Sequence, residues 1–148
     1  MKYTFLSLTL LVVSAMAGAT NAVAAPAKGK PTVAVTATRV EGLDRAEGID
    51  CPKPRFSWQI DAAVPNVKQT AYRIRVASSP QLLRKGKADL WDSGRQPSDR
   101  QLYIGYDGQP LASGTRYYYQ IESETTAGSA VSRVGNWLTG LMDRTEWH

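Results

Sequence analysis

Hydrophobic and polar residues alternate along several short stretches of the chain. The clearest stretch runs from Arg55 to Asp61, where Phe56, Trp58 and Ile60 share one face and polar residues share the other. This period of two predicts a half-buried antiparallel strand. Six further strands are predicted at 33–40, 72–76, 90–93, 102–104, 115–125 and 130–139.

Turn-forming residues separate these strands about every ten residues, as in an all-β domain. Ser79 and Pro80 predict one short helical turn, which ends at Gly86. The segment from Gly42 to Pro54 is rich in turn residues, and the predicted strands lie on either side of it. About seven short antiparallel strands in this arrangement predict an immunoglobulin-like or fibronectin-III-like sandwich of two sheets.

The N-terminus has the pattern of a secretory signal peptide. Lys2 precedes an apolar run from Phe5 to Val13, and small residues follow as far as Ala24. We therefore predict cleavage near Ala24 or Ala25, export to the periplasm or the cell exterior, and no membrane anchor after cleavage. The predicted organisation is a signal peptide at 1–24, a flexible lead-in at 25–32, the sandwich at 33–140 and an exit segment at 141–148.

Two local details refine the predicted sandwich. The segment from Leu111 to Tyr117 has the layout of a tyrosine corner, in which the tyrosine hydroxyl bonds to the backbone upstream. Cys51 is the single cysteine, so an internal disulfide is excluded. Aromatic packing must then hold the core, and Trp58 is predicted to fill the space between the sheets.

Composition excludes several kinds of site. The single histidine is His148, which argues against a histidine-built metal site and a catalytic triad. The formal charge of +5 is scattered among acidic residues, so we predict a solvated surface and no nucleic-acid partner. The carboxylates that lie close in sequence, such as Asp89 with Asp92 and Glu122 with Glu124, are interpreted as structural. Calcium-loop and phosphate-loop motifs are absent from the sequence, so no metal or cofactor is predicted.

Four sequence blocks stand out because they occur in a fixed order. They are GIDCPKPRFSW at 48–58, QTAYRIRVASS at 69–79, DLWDSG at 89–94 and PLASGTRYYY at 110–119, followed by Trp137 to Leu141 and then Trp147. Together they resemble the N-terminal module of bacterial α-L-rhamnosidases. The resemblance covers about Val35 to His148.

This resemblance implies a fibronectin-III-like sandwich that precedes, in the family, further β-domains and an α/α-toroid catalytic domain. In the family that toroid carries the acidic residues of an inverting mechanism, which releases terminal α-L-rhamnose. The chain stops at His148, where the family's sequences continue into the next domain, so no catalytic residue can be assigned here. We therefore expect a non-catalytic module of an exported rhamnosidase, truncated before the catalytic domain, with 141–148 as the start of a linker.

Four residues are the predicted contacts with a neighbouring domain or a ligand: Trp91, Tyr103, Leu141 and Trp147. The expected partners are the downstream domains of the same enzyme, another protein, or carbohydrate. The alternative is a stand-alone extracytoplasmic module of the same fold that binds carbohydrate or protein, an interpretation that rests on analogy between folds.

Overall fold

Two β-sheets face each other in the computed structural model, which describes residues 32–142. The elements follow in chain order: β1 (Val33–Val40), β2 (Ala46–Ile49), β3 (Arg55–Ala62), β4 (Gln69–Ala77), α1 (Pro80–Arg84), β5 (Trp91–Asp92), β6 (Ile104–Gly105), β7 (Arg116–Thr125), β8 (Gly128–Val131) and β9 (Gly135–Thr139). The smaller sheet has the order β1–β3–β6. The larger sheet has the order β2–β9–β7–β4–β5, and β8 also pairs with β7.

An aromatic cluster fills the space between the sheets, as the sequence predicts. Phe56 of the smaller sheet lies 5.1 Å from the Tyr119 ring and 5.7 Å from the Trp137 ring of the larger sheet, measured between centroids. Trp58 is also buried and packs edge-on against Tyr72 at 5.3 Å. Each fully buried aromatic side chain contributes roughly 1.5–3 kcal/mol, so this cluster stabilises the domain without a disulfide.

The predicted tyrosine corner is present. The backbone amide of Ala112 donates a hydrogen bond to the Tyr117 hydroxyl at 2.9 Å. The predicted helical turn is also present, with Ser79 at its N-cap and Gly86 two residues after its end. Gly86 has φ +71, a left-handed conformation that glycine adopts without steric cost.

The immunoglobulin-like all-β sandwich is therefore confirmed, with two additions. A short strand, β2, lies inside the segment predicted to be turn-rich, and it pairs parallel to β9. The predicted strand at 130–139 is two strands, because the chain between Ser132 and Val134 leaves the ladder. Ser132 spans this interruption, since its hydroxyl accepts a hydrogen bond from the Ile121 amide at 3.0 Å.

Some predictions concern residues beyond those that the structure describes. The signal peptide at 1–24, most of the lead-in and Trp147 are among them. These assignments stay predictions. Within residues 32–142, no helix is long and apolar enough to cross a membrane.

Candidate functional site

The carboxylates of the larger sheet are bound by arginine side chains. Arg73 donates hydrogen bonds of 2.8 and 2.6 Å to Asp92, and Arg95 donates bonds of 2.9 and 2.7 Å to Glu124. These bonds lower the pKa of both carboxyl groups. A glycosidase needs an acid whose pKa is raised. The geometry therefore agrees with the interpretation of these carboxylates as structural.

Metal-binding chemistry has little support in the described region. Among residues 32–142, no three His, Cys, Asp or Glu side chains are grouped so that they could hold a metal ion. Cys51 is a free, partly buried thiol that packs against the core cluster.

The four predicted contact residues have different surroundings. Trp91 is partly buried and packs on Phe56 and Tyr106, so most of its ring belongs to the core. Tyr103 and Leu141 are exposed, at 53% and 42%. Trp147 lies outside the described residues. Among the predicted contacts that lie within residues 32–142, Tyr103 is therefore the one exposed aromatic side chain.

Tyr103 lies on the outer side of the smaller sheet, beside Arg55 and Glu41. The Arg55 guanidinium carbon is 4.9 Å from the centroid of the Tyr103 ring, a cation–π distance. Arg55 also forms a fork with Glu41, with its shortest bond at 2.7 Å. Leu102 is adjacent and 61% exposed. These four residues, Glu41, Arg55, Leu102 and Tyr103, are called the Tyr103 surface below.

The fork keeps both members of the ion pair charged. Its hydrogen bonds lower the pKa of Glu41 and raise that of Arg55. The Glu41 side chain also accepts a hydrogen bond from the Arg55 backbone amide at 2.6 Å. Arg55 is thus fixed by its backbone and its side chain, and its guanidinium contacts the Tyr103 ring.

Glu41 and Tyr103 have left-handed backbones, with φ values of 51 and 55. For residues other than glycine such a conformation costs about 1–3 kcal/mol, and it is concentrated at functional sites. Hydrogen bonds offset the cost. The Glu41 amide donates to the Arg55 carbonyl at 2.8 Å, and the Tyr103 amide donates to the Ser57 hydroxyl at 3.0 Å.

A buried glutamine anchors the segment that leads into Tyr103. The Gln69 side-chain amide donates hydrogen bonds to the carbonyls of Ser98 and Arg100, at 3.0 and 2.9 Å. Its oxygen accepts bonds from the Trp58 indole at 3.0 Å and from the Ser123 hydroxyl at 2.8 Å. All the hydrogen-bonding capacity of this buried amide is used, so residues 98–101 are fixed directly to the core.

A cleft of about 540 Å³ lies between β3 and this anchored segment. Its polar lining side chains are Gln59, Asp99, Arg100 and Gln101, and Leu102 joins it to the Tyr103 surface. Of the two charged residues, Asp99 is a carboxylate and Arg100 a guanidinium, so the cleft carries no net charge.

Sequence reasoning identified Tyr103 but none of the residues that position it. The alternation of apolar and polar residues in β3 places Phe56 on the inner face and Arg55 on the outer face, so the exposure of Arg55 could be predicted from the sequence. Its partner Glu41 lies 14 residues away, between the predicted strand at 33–40 and the turn-rich segment that begins at Gly42. Gln69 resembles an ordinary polar strand residue in the sequence, and only the fold shows that it is buried.

Comparisons with known proteins agree on one family. Residues 35–143 match the family model described as the Rha78A-like, N-terminal immunoglobulin domain. The chain is 39% identical over 115 residues to an α-L-rhamnosidase of Streptomyces avermitilis. This alignment covers 76% of this chain and 11% of that protein. The chain is 37% identical over 109 residues to an α-L-rhamnosidase of Formosa agariphila, covering 72% and 12%.

A solved structure gives the same result. The crystal structure of Streptomyces avermitilis α-L-rhamnosidase complexed with L-rhamnose has a TM-score of 0.72 and 38% identity, over 78% of this chain and 11% of that one. The chain thus spans about a tenth of the length of these relatives. The matched part is the N-terminal immunoglobulin-like module and not the catalytic part, which confirms the resemblance seen in the sequence. The chain belongs to the family of Rha78A-like N-terminal immunoglobulin domains.

Proposed function

We propose that this chain is the non-catalytic N-terminal module of an exported enzyme that acts on α-L-rhamnosides. Its role is to pack against the domains that follow and to support their fold. The observation that carries the proposal is the family match over residues 35–143, combined with relatives that are about nine times as long as the matched part.

The segment that follows β9 supports this role, because hydrogen bonds fix the direction in which the chain leaves the sandwich. The Gly140 amide donates a hydrogen bond to the Ile49 carbonyl at 2.8 Å. The Met142 amide donates one to the Ser113 hydroxyl at 2.8 Å. Leu141 lies between these two anchors and is exposed. Such an exit presents Leu141 to whatever follows, and we propose that Leu141 and Trp147 contact the next domain.

The mass of the native protein tests the proposal. An antibody against residues 25–148 is used on an immunoblot of the source cells. We expect a band several times heavier than the 16.2 kDa of this chain. A single band at or below 16.2 kDa would overturn the proposal. In a second assay the purified chain is incubated with an aryl α-L-rhamnoside, and release of rhamnose would contradict its non-catalytic role.

The Tyr103 surface favours a second candidate function, a module that binds carbohydrate or protein on its own. Leu102 and Tyr103 are adjacent and both exposed, and a contiguous exposed apolar patch can mark an interaction site. The light band on the same immunoblot is the outcome that would favour this candidate.

A further inference from the structure

We propose that the Tyr103 surface and the adjoining cleft form a weak subsite for a neutral 6-deoxyhexopyranoside. The choice of sugar rests on the proposed function, in which the whole enzyme acts on α-L-rhamnosides. Nothing in that function requires the N-terminal module itself to touch sugar, so the two proposals can fail separately.

The apolar half of the subsite is Tyr103 with Leu102. The Arg55 guanidinium lies over the Tyr103 ring, yet the residue remains 53% exposed. The C–H groups of a pyranose ring form an apolar patch that can lie on an aromatic ring. Leu102 is 61% exposed beside it. A 6-deoxy sugar carries a methyl group where other hexoses carry a hydroxymethyl group, and an exposed leucine suits that methyl.

The polar half of the subsite is the cleft. The side chains of Gln59, Asp99 and Arg100 make no hydrogen bond or ion pair within residues 32–142. They supply an amide, a carboxylate and a guanidinium, and therefore both donors and acceptors for hydroxyl groups. The opposite charges of Asp99 and Arg100 favour a neutral ligand over an anionic one.

The two halves are contiguous on the outer face of β3. Every second residue of β3 lies on this face, which gives Arg55, Ser57 and Gln59. The distance along the strand from Arg55 to Gln59 is about 13 Å at the usual rise per residue. Tyr103 lies over Arg55, its amide binds Ser57, and Leu102 borders the cleft beside Gln59. A monosaccharide on the ring can therefore direct hydroxyls towards the cleft.

The subsite is pre-formed, which reduces the entropy lost on binding. Gln69 fixes the carbonyls of Ser98 and Arg100, and the Gln101 carbonyl accepts a hydrogen bond from the Trp58 amide at 2.9 Å. Because one ring and one shallow cleft bury little of the ligand, we expect a Kd on the order of 1–10 mM.

The test is a titration of the isotope-labelled chain with methyl α-L-rhamnopyranoside, followed by two-dimensional NMR. We expect saturable shifts in the amides of residues 57–59 and 98–103. Tyr103→Ala should raise the Kd at least about tenfold, and Tyr103→Trp should retain binding, because tryptophan keeps an aromatic plane. Tyr118→Ala is the matched control, since Tyr118 lies on β7 of the other sheet.

A second sugar tests the methyl contact. Methyl α-L-mannopyranoside differs from the first probe only by a hydroxyl at C6, and we expect it to bind several-fold more weakly. Leu102→Ser should remove this preference while leaving the spectrum of the core unchanged.

Two outcomes would overturn the subsite. One is the absence of saturable shifts at about 100 mM sugar, far above the expected Kd. The other is a dimer that Tyr103→Ala converts to a monomer while sugar has no effect, which would identify a protein contact. Neither outcome changes the immunoblot on which the rhamnosidase proposal depends.

Discussion

Replacement of Gln69 by leucine tests whether the buried amide controls the stability of the sandwich. Leucine is similar in size but forms no hydrogen bonds. The Trp58 indole N–H and the Ser123 hydroxyl would each lose their acceptor, and both residues are at most 1% exposed. The carbonyls of Ser98 and Arg100 lie nearer to solvent, where water can replace the amide.

The expected cost follows from the two buried groups. An unsatisfied buried polar group costs about 1–3 kcal/mol, and the serine hydroxyl can turn to another acceptor more easily than the indole. We therefore expect Gln69→Leu to lower the free energy of unfolding by about 3 kcal/mol. For a domain of this size that corresponds to a fall in Tm of roughly 12 °C or more.

The assay is urea unfolding followed by tryptophan fluorescence, with Gln59→Leu as the matched control. Gln59 is exposed on β3 of the facing sheet, and its replacement should change stability by less than about 0.5 kcal/mol. Adding Ser123→Ala to Gln69→Leu should restore about 1 kcal/mol, because a buried hydroxyl no longer lacks a partner. A loss below about 1 kcal/mol for Gln69→Leu alone would be smaller than an unsatisfied buried polar group costs, and would contradict the stabilising role of the Gln69 amide.

Three further predictions concern the core and its pH dependence. Tyr117→Phe removes the acceptor of the tyrosine corner and should cost about 1 kcal/mol in urea unfolding; an unchanged midpoint would contradict this. Gly135→Ala places a methyl group against the Tyr119 ring and should cost about 1–3 kcal/mol, whereas Gly105→Ala, which meets open space, should be nearly neutral. Burial raises the pKa of Tyr106 from 10.0 to about 12, so the fold binds this proton more tightly than the unfolded chain does. Its contribution to stability is complete below pH 10 and is lost as the pH rises to about 12. The urea midpoint of Tyr106→Phe should therefore fall less steeply between about pH 9 and about pH 11 than that of the unmodified chain.

The strands that could be predicted from the sequence are those in which apolar and polar residues alternate within the strand itself. β7 buries every second side chain from Tyr117 to Ser123, and β3 alternates in polarity although Ser57 is also buried. That local pattern is sufficient to predict both strands. β2 has no such pattern. It is four residues long, it contains Gly48 with φ +72, and it exists because β9 pairs with it from far along the chain.

The candidate site was less predictable for a similar reason. Tyr103 precedes the buried Ile104, and the sequence alone does not decide whether its ring packs on a neighbouring element or faces solvent. Its left-handed backbone and the Arg55 guanidinium beside it determine its exposure. Both depend on contacts between segments that are distant in sequence, which local periodicity does not contain.

The position of β9 also constrains the order in which the domain can form during synthesis. Of the strands within residues 32–142, β9 is the last to emerge from the ribosome, yet it lies in the middle of the larger sheet, between β2 and β7. Its Trp137 completes the aromatic cluster through contacts with Phe56 and Tyr117. A nascent chain shorter than about 139 residues leaves β2 without its partner strand and the core without its second large tryptophan. We therefore expect the sandwich to close only after β9 has been synthesised, in one late cooperative step.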